Sequence, residues 1–131
     1  MTPQKTILVV EDETDEVAYL TALFEDNGFA VISAGNGHDG FMKAKVHHPD
    51  AITLDVTMPE ESGVRMFRDL QEDASTADIP VVIITGVSHE FKRFIETRKH
   101  VHPPAGYFDK PPDRQELLAK IREIAGVTDA G

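Results

Sequence analysis

Several short apolar runs of this chain end in residues that can do chemistry. Glu11-Asp12 follows Ile7–Val10, and Asp55 sits near the end of Ala51–Val56. Thr85-Gly86 closes the run from Pro80, and Asp109-Lys110-Pro111 follows Gly106–Phe108. If these runs are strands of one parallel sheet, their carboxyl ends share a crevice, because ligands of such sheets bind there. Three carboxylates in one crevice repel one another and stay ionised together only when a cation joins them. Oxygen donors without cysteine favour Mg²⁺, which takes one or two carboxylates together with waters and phosphate oxygens. Lys110 adds a point charge able to pair with a carboxylate or a phosphate. Thr85 adds a hydroxyl donor. A metal, a cation, a hydroxyl and one carboxylate nucleophile are the parts of phosphoryl transfer, whose catalysis is mostly positioning and charge stabilisation.

The elements that must bring these residues together follow from periodicity. Strands are expected at Thr6–Val10, Phe29–Ser33, Ala51–Val56, Pro80–Thr85 and Gly106–Phe108. Helices are expected at Asp15–Asp26, Asp39–His47, Ser62–Asp73, His89–Lys99 and Arg114–Ile124, each with apolar residues at helical spacing. Asn27-Gly28 is a stop for the first helix and Pro49 for the second. Gly40 inside the second is an oddity that costs roughly 1 kcal/mol against alanine. The first, third and fourth strands are nearly continuous apolar runs, the mark of strands buried on both faces. A parallel sheet with helices on both sides is therefore expected.

Composition narrows the function classes. A chain of 131 residues has the length of one domain, and with 40% hydrophobic and 27% charged residues it is neither disordered nor membrane-spanning in character. A net charge of −10 argues against direct binding of nucleic acid. The first residues are too polar for a signal peptide, and cysteine is absent, so a cytoplasmic protein is expected. Lys92, Arg93, Arg98 and Lys99 form a basic cluster, read either as a solvated helix face or as a docking surface. His100-Val101-His102 has a spacing that can bind zinc and His47-His48 adds more imidazole, but no third ligand is apparent.

The motifs ILVVED at 7–12, DVTMP at 55–59 followed by Gly63, VVIITG at 81–86 and Tyr107-Phe-Asp-Lys-Pro at 107–111 occur in order, each at the end of its own expected strand. In these the chain resembles the response regulator receiver domain of two-component signalling, end to end over 1–131. The resemblance implies a flavodoxin-like, doubly wound five-stranded parallel sheet of order 2-1-3-4-5 with five helices; that order is the one the general rule for such folds attaches to a chemotaxis receiver. It implies Asp55 as phospho-acceptor, Asp12 as direct Mg²⁺ ligand with Glu11 acting through water, and the Thr57 carbonyl as a further ligand. Lys110 resembles the lysine that contacts the acceptor and then the phosphoryl oxygen. Thr85 resembles the switch hydroxyl and Tyr107 the aromatic that swings in behind it, and a cis Lys110–Pro111 bond is implied. Thr57 and Val87 stand where side chains gate the hydrolytic water and so set the lifetime of the signal. The expected donor is a sensor histidine kinase or a histidine phosphotransfer protein. The expected output is a downstream protein bound through the fourth helix, fifth strand and fifth helix, by a monomer or a weak phosphorylation-dependent dimer. Only residues 125–131 follow the last expected helix, which suits action by protein binding. His100–Ala105 is a few residues longer than usual before the fifth strand of receivers.

Blander and rival readings are weighed on the same residues. Glu11, Asp12 and Glu13 alone would pass for a solvated turn, with Thr14 or Asp15 capping the first helix. Asp55 is too far from Ser62 to cap the third. A haloacid-dehalogenase-like phosphatase also uses Asp and Mg²⁺, but needs a second Asp where Thr57 stands. A receiver-like module without phosphorylation would not keep the complete acid, Thr and Lys set. A flavin-binding domain needs a phosphate cradle where Glu11-Asp12-Glu13 would repel the ligand.

Overall fold

The structure is a computed structural model that describes residues 4–58, 62–86 and 104–127. Among these are five strands and four helices, in the order β1 (Thr6–Val10), α1 (Thr14–Asp26), β2 (Ala30–Ala34), α2 (Gly37–His47), β3 (Ala51–Leu54), α3 (Ser62–Glu72), β4 (Val81–Thr85), β5 (Gly106–Asp109) and α4 (Arg114–Ala125). All pairings are parallel, in the order β2-β1-β3-β4-β5. The expected helix over 89–99 and its basic cluster lie outside the described residues, as do Val87 and residues 100–103.

Strand alternation sends side chains to two apolar layers. One holds Leu8, Val10, Ile52, Leu54, Val81 and Ile83 against Ala44 of α2 and Met66, Phe67 and Leu70 of α3. The other holds Ile7, Val9, Ala51, Val82 and Ile84 against Leu20, Leu23 and Phe24 of α1 and Leu117, Leu118 and Ile121 of α4. Sheet burial on both faces explains the unbroken apolar runs of β1, β3 and β4. Among the described residues no helix is long and apolar enough to cross a membrane.

Element ends moved for local reasons. Glu13, in extended backbone, stands at the N-cap of α1 with no side-chain cap bond, so neither Thr14 nor Asp15 caps it. The second helix begins two residues earlier than expected because Asn36 caps it, its side chain accepting from the Asp39 amide at 2.8 Å. The end of α1 is the expected stop: Gly28 adopts φ 93°, a conformation glycine reaches without strain.

The structure explains Gly40. A Cβ there would stand 2.9 Å from Val10 Cγ2 and 2.7 Å from Met66 Sδ, so the bare backbone lets α2 approach both sheet and α3. Gly37 is tighter still, because its Cβ would run into the backbone carbonyl of Ser62. Gly37→Ala is expected to destabilise the fold by about 3 kcal/mol, since two backbones must part. Gly40→Ala should cost less, because the end of Met66 can rotate away. Urea denaturation of the two variants checks the ranking.

The turn after α3 carries a second ordered carboxylate. Asp73 Oδ1 accepts from the Ser75 hydroxyl at 2.6 Å and amide at 2.9 Å, and Oδ2 pairs with Lys45 of α2 at 3.1 Å. The Ser75 bonds, then Lys45, hold this carboxyl down at about 2, against an ordinary 3.8. A depressed carboxylate favours the fold above its unfolded value and loses that contribution as pH falls from about 4 to about 2. Carbon-13 titration of Asp73 should show a midpoint near 2, rising toward 3.8 in Ser75→Ala.

Candidate functional site

The carboxyl ends of β1, β3, β4 and β5 gather the residues singled out from the sequence. Glu11, Asp12 and Asp55 each offer a carboxylate oxygen, and the three atoms lie within 4.8 Å of one another. Glu11 and Asp55 are only 3% and 4% exposed, so their charges face little water, whereas Asp12 is exposed. Backbone bonds fix the ends: the amide of Glu11 donates to Ala34 O and that of Asp55 to Val10 O, both at 3.0 Å.

Lys110 closes the crevice from the far edge. Its amide donates to Thr85 O at 3.0 Å, and the Lys110–Pro111 peptide is cis, as the resemblance implied. Its Nζ lies 2.6 Å from Glu11 Oε1 and 3.1 Å from Asp55 Oδ2. The bridge to Glu11 was not anticipated, and no local pattern signals a contact spanning 99 residues.

Thr57 holds the other oxygen of Asp55. Its amide donates to Oδ1 at 2.8 Å and its hydroxyl to the same atom at 2.6 Å. This is an Asx-turn closed by the carboxylate two residues earlier. Sequence reasoning placed Thr57 here for its carbonyl and its gating position and missed the hydroxyl; the Asp-x-Thr spacing was the available signal. Behind the turn, Gly63 lets α3 start against the strand end: a Cβ there would collide with Asp55 O and lie 2.7 Å from Val56 Cα. Gly37 N donates to Ser62 Oγ at 3.2 Å, which ties the start of α2 to the start of α3.

Burial and partners oppose each other at each ionisable group. Burial pushes the Glu11 carboxyl up to about 7, although Lys110 and the Glu13 amide pull it down. Burial also works against Asp55, but the bonds from Thr57 and Lys110 outweigh it and leave the carboxyl below its ordinary value. Burial disfavours the Lys110 charge, yet Glu11 and Asp55 hold the ammonium above its ordinary value. A second cation in the crevice would relieve the same repulsion. The donor set is hard oxygen throughout and one ligand is solvent-facing, which suits Mg²⁺ with its retained waters.

The remaining two residues lie deeper. Thr85 is fully buried at the end of β4 and pairs with Asp109 in register. Tyr107 is half-buried beside Ile83, one same-face step before Thr85, and packs on the layer of α2 and α3.

An acidic crevice at the switch point of a 2-1-3-4-5 parallel sheet, closed by a lysine that precedes a cis peptide, defines a receiver-like site. Residues 7–122 match the response regulator receiver domain. The chain therefore belongs to the response regulator receiver family of two-component signalling, whose members are signalling switches rather than turnover enzymes and receive phosphate from histidine kinases. It is 36% identical over 118 residues to Protein PilH of Pseudomonas aeruginosa, covering 90% of this chain and 95% of PilH. It is 30% identical over 120 residues to the alkaline phosphatase synthesis transcriptional regulatory protein PhoP of Bacillus subtilis, covering 92% of this chain. The chain spans about half the length of that regulator, at 48%. The fold is that of the receiver domain of sensor histidine kinase PA1611 from Pseudomonas aeruginosa PAO1, with a TM-score of 0.82 at 21% identity, covering 95% of this chain and 99% of that one. That crystal structure has a magnesium ion coordinated in its active site cleft.

Proposed function

We propose that the chain is a single receiver domain over 1–131 that accepts one phosphoryl group on Asp55 and signals by changing its protein contacts in the cytoplasm. The observation that carries this is the Asp55 carboxylate, buried, clamped by Thr57 on Oδ1 and by Lys110 on Oδ2, with Glu11 and Asp12 carboxylates beside it. Asp12, Asp55 and the Thr57 carbonyl, with Glu11 through water, would hold Mg²⁺, which supplies charge neutralisation to the transferring group.

Asp55 Oδ2 attacks the phosphorus of a phosphohistidine presented by a sensor histidine kinase or histidine phosphotransfer protein. The new O–P bond forms as the P–N bond breaks, and the electron pair returns to the imidazole nitrogen. Lys110 then pairs with a phosphoryl oxygen, and the Thr85 hydroxyl turns toward another. That motion opens room for Tyr107 on the same face of the sheet, which shifts the population of the output face that includes β5 and α4. Water later cleaves the acyl phosphate, with Thr57 and Val87 tuning its access. The downstream partner is a protein rather than nucleic acid or membrane, met by a monomer or a weak phosphorylation-dependent dimer.

Incubation with acetyl phosphate, read by intact mass, tests the reading. One phosphoryl group per chain is expected with Mg²⁺ and none in chelator. Uptake indifferent to Mg²⁺, or repeated turnover of a small phosphate ester, would overturn it.

A further inference from the structure

The two bonds from Thr57 to Asp55 do different work. A carboxylate oxygen offers two in-plane lone pairs. Oδ1 accepts from both the amide of Thr57 at 2.8 Å and its hydroxyl at 2.6 Å, so both are taken. Oδ2 accepts from Lys110 Nζ at 3.1 Å. The amide cannot leave without unwinding the turn. The hydroxyl can leave by a rotation about one bond, and Thr57 is exposed, so water stands ready to receive it.

We propose that the Thr57 hydroxyl is a releasable lock on Asp55: it holds Oδ1 in the metal-free protein and must turn away before that oxygen can ligate a divalent cation. The inference rests on the reading of Asp55 as a metal ligand that attacks phosphorus through Oδ2 and so leaves Oδ1 for the cation, and it assigns the lock to the side chain of Thr57, separately from any part its carbonyl plays. While locked, Asp55 has a fixed rotamer, so the nucleophile is already oriented when the cation arrives. The cost is a competition. The cation gains Oδ1 only at the expense of a charge-assisted hydrogen bond, so affinity is lower than the three carboxylates would otherwise give. Thr57 is thus a positioning residue that sets the Mg²⁺ concentration at which the switch is armed.

The test is calorimetric Mg²⁺ titration of wild type, Thr57→Val and Thr57→Ser at one pH. Valine keeps the branched shape and the backbone, so the amide bond and carbonyl are retained. Loss of one hydrogen bond to a charged group corresponds to about tenfold in an equilibrium constant. Thr57→Val is expected to bind Mg²⁺ up to about tenfold more tightly, with Thr57→Ser close to wild type. A role in shape or packing alone would move Ser and Val apart from wild type by methyl content, not by hydroxyl. Unchanged or weaker affinity in Thr57→Val, with wild type binding normally, overturns the lock while leaving the proposed function standing. Absence of saturable Mg²⁺ binding to wild type overturns both.

Discussion

Asp55→Asn is expected to take up no phosphoryl group from acetyl phosphate under conditions that load the wild type fully. The side-chain amide has no anionic oxygen, and its one carbonyl oxygen is too weak a nucleophile for in-line attack. The variant should still fold, because an asparagine Oδ1 keeps both bonds from Thr57. Lys110 keeps its bond to Glu11 at 2.6 Å, so neither group is stranded. Intact mass reads the uptake and circular dichroism the fold. Phosphorylation of the variant at the wild-type level would move the acceptor to another carboxylate of the crevice, such as the exposed Asp12.

Lys110→Ala is expected to lower stability by about 3 kcal/mol in metal-free buffer at pH 8, the size associated with removing one partner of a buried charge pair. Glu11 and Asp55 are both nearly buried and Lys110 is the cation they share. The sign of the pH dependence follows from Glu11, whose carboxyl already stands at about 7 against an ordinary 4.5 and climbs further without Lys110. A carboxyl raised in the folded state binds a proton there that it has lost in the unfolded chain. Stability is therefore greatest at low pH within that window and falls as pH rises through the folded value. The deficit of Lys110→Ala should be smaller at pH 6 than at pH 8, and millimolar Mg²⁺ should recover much of it by supplying the missing positive charge. Urea denaturation at the two pH values, with and without Mg²⁺, measures each part. A deficit that grows toward acid pH, or one that Mg²⁺ leaves untouched, would contradict this account of the crevice.

The order of elements was legible because β1, β3 and β4 are buried on both faces and read as continuous apolar runs, while α3 and α4 carry sharp helical periods. The strand-end rule then brings Glu11, Asp12, Asp55 and Lys110 together from across the chain. What stayed hidden depends on contacts that no local pattern records. Gly40 looked like a weak spot in a helix, and only its closeness to Val10 and Met66 shows why a side chain is excluded. The start of α2 moved because Asn36 caps it, a signal present in the sequence but outweighed by the apolar spacing that begins later. The Glu11–Lys110 bridge joins two strands at opposite sides of β3, so its existence follows from the sheet order and not from either residue's neighbours. The Thr57 hydroxyl was within reach of sequence reasoning, since a hydroxyl two residues after an aspartate commonly turns back to it.

The most direct measurement is a Mg²⁺ titration of the wild-type protein followed in its backbone amide spectrum. The account predicts a single saturable transition with one ion per chain and shifts concentrated at residues 11–13, 55–58 and 110. Saturation with shifts centred elsewhere, such as the Asp73 turn, or no saturable change at these amides, would contradict it.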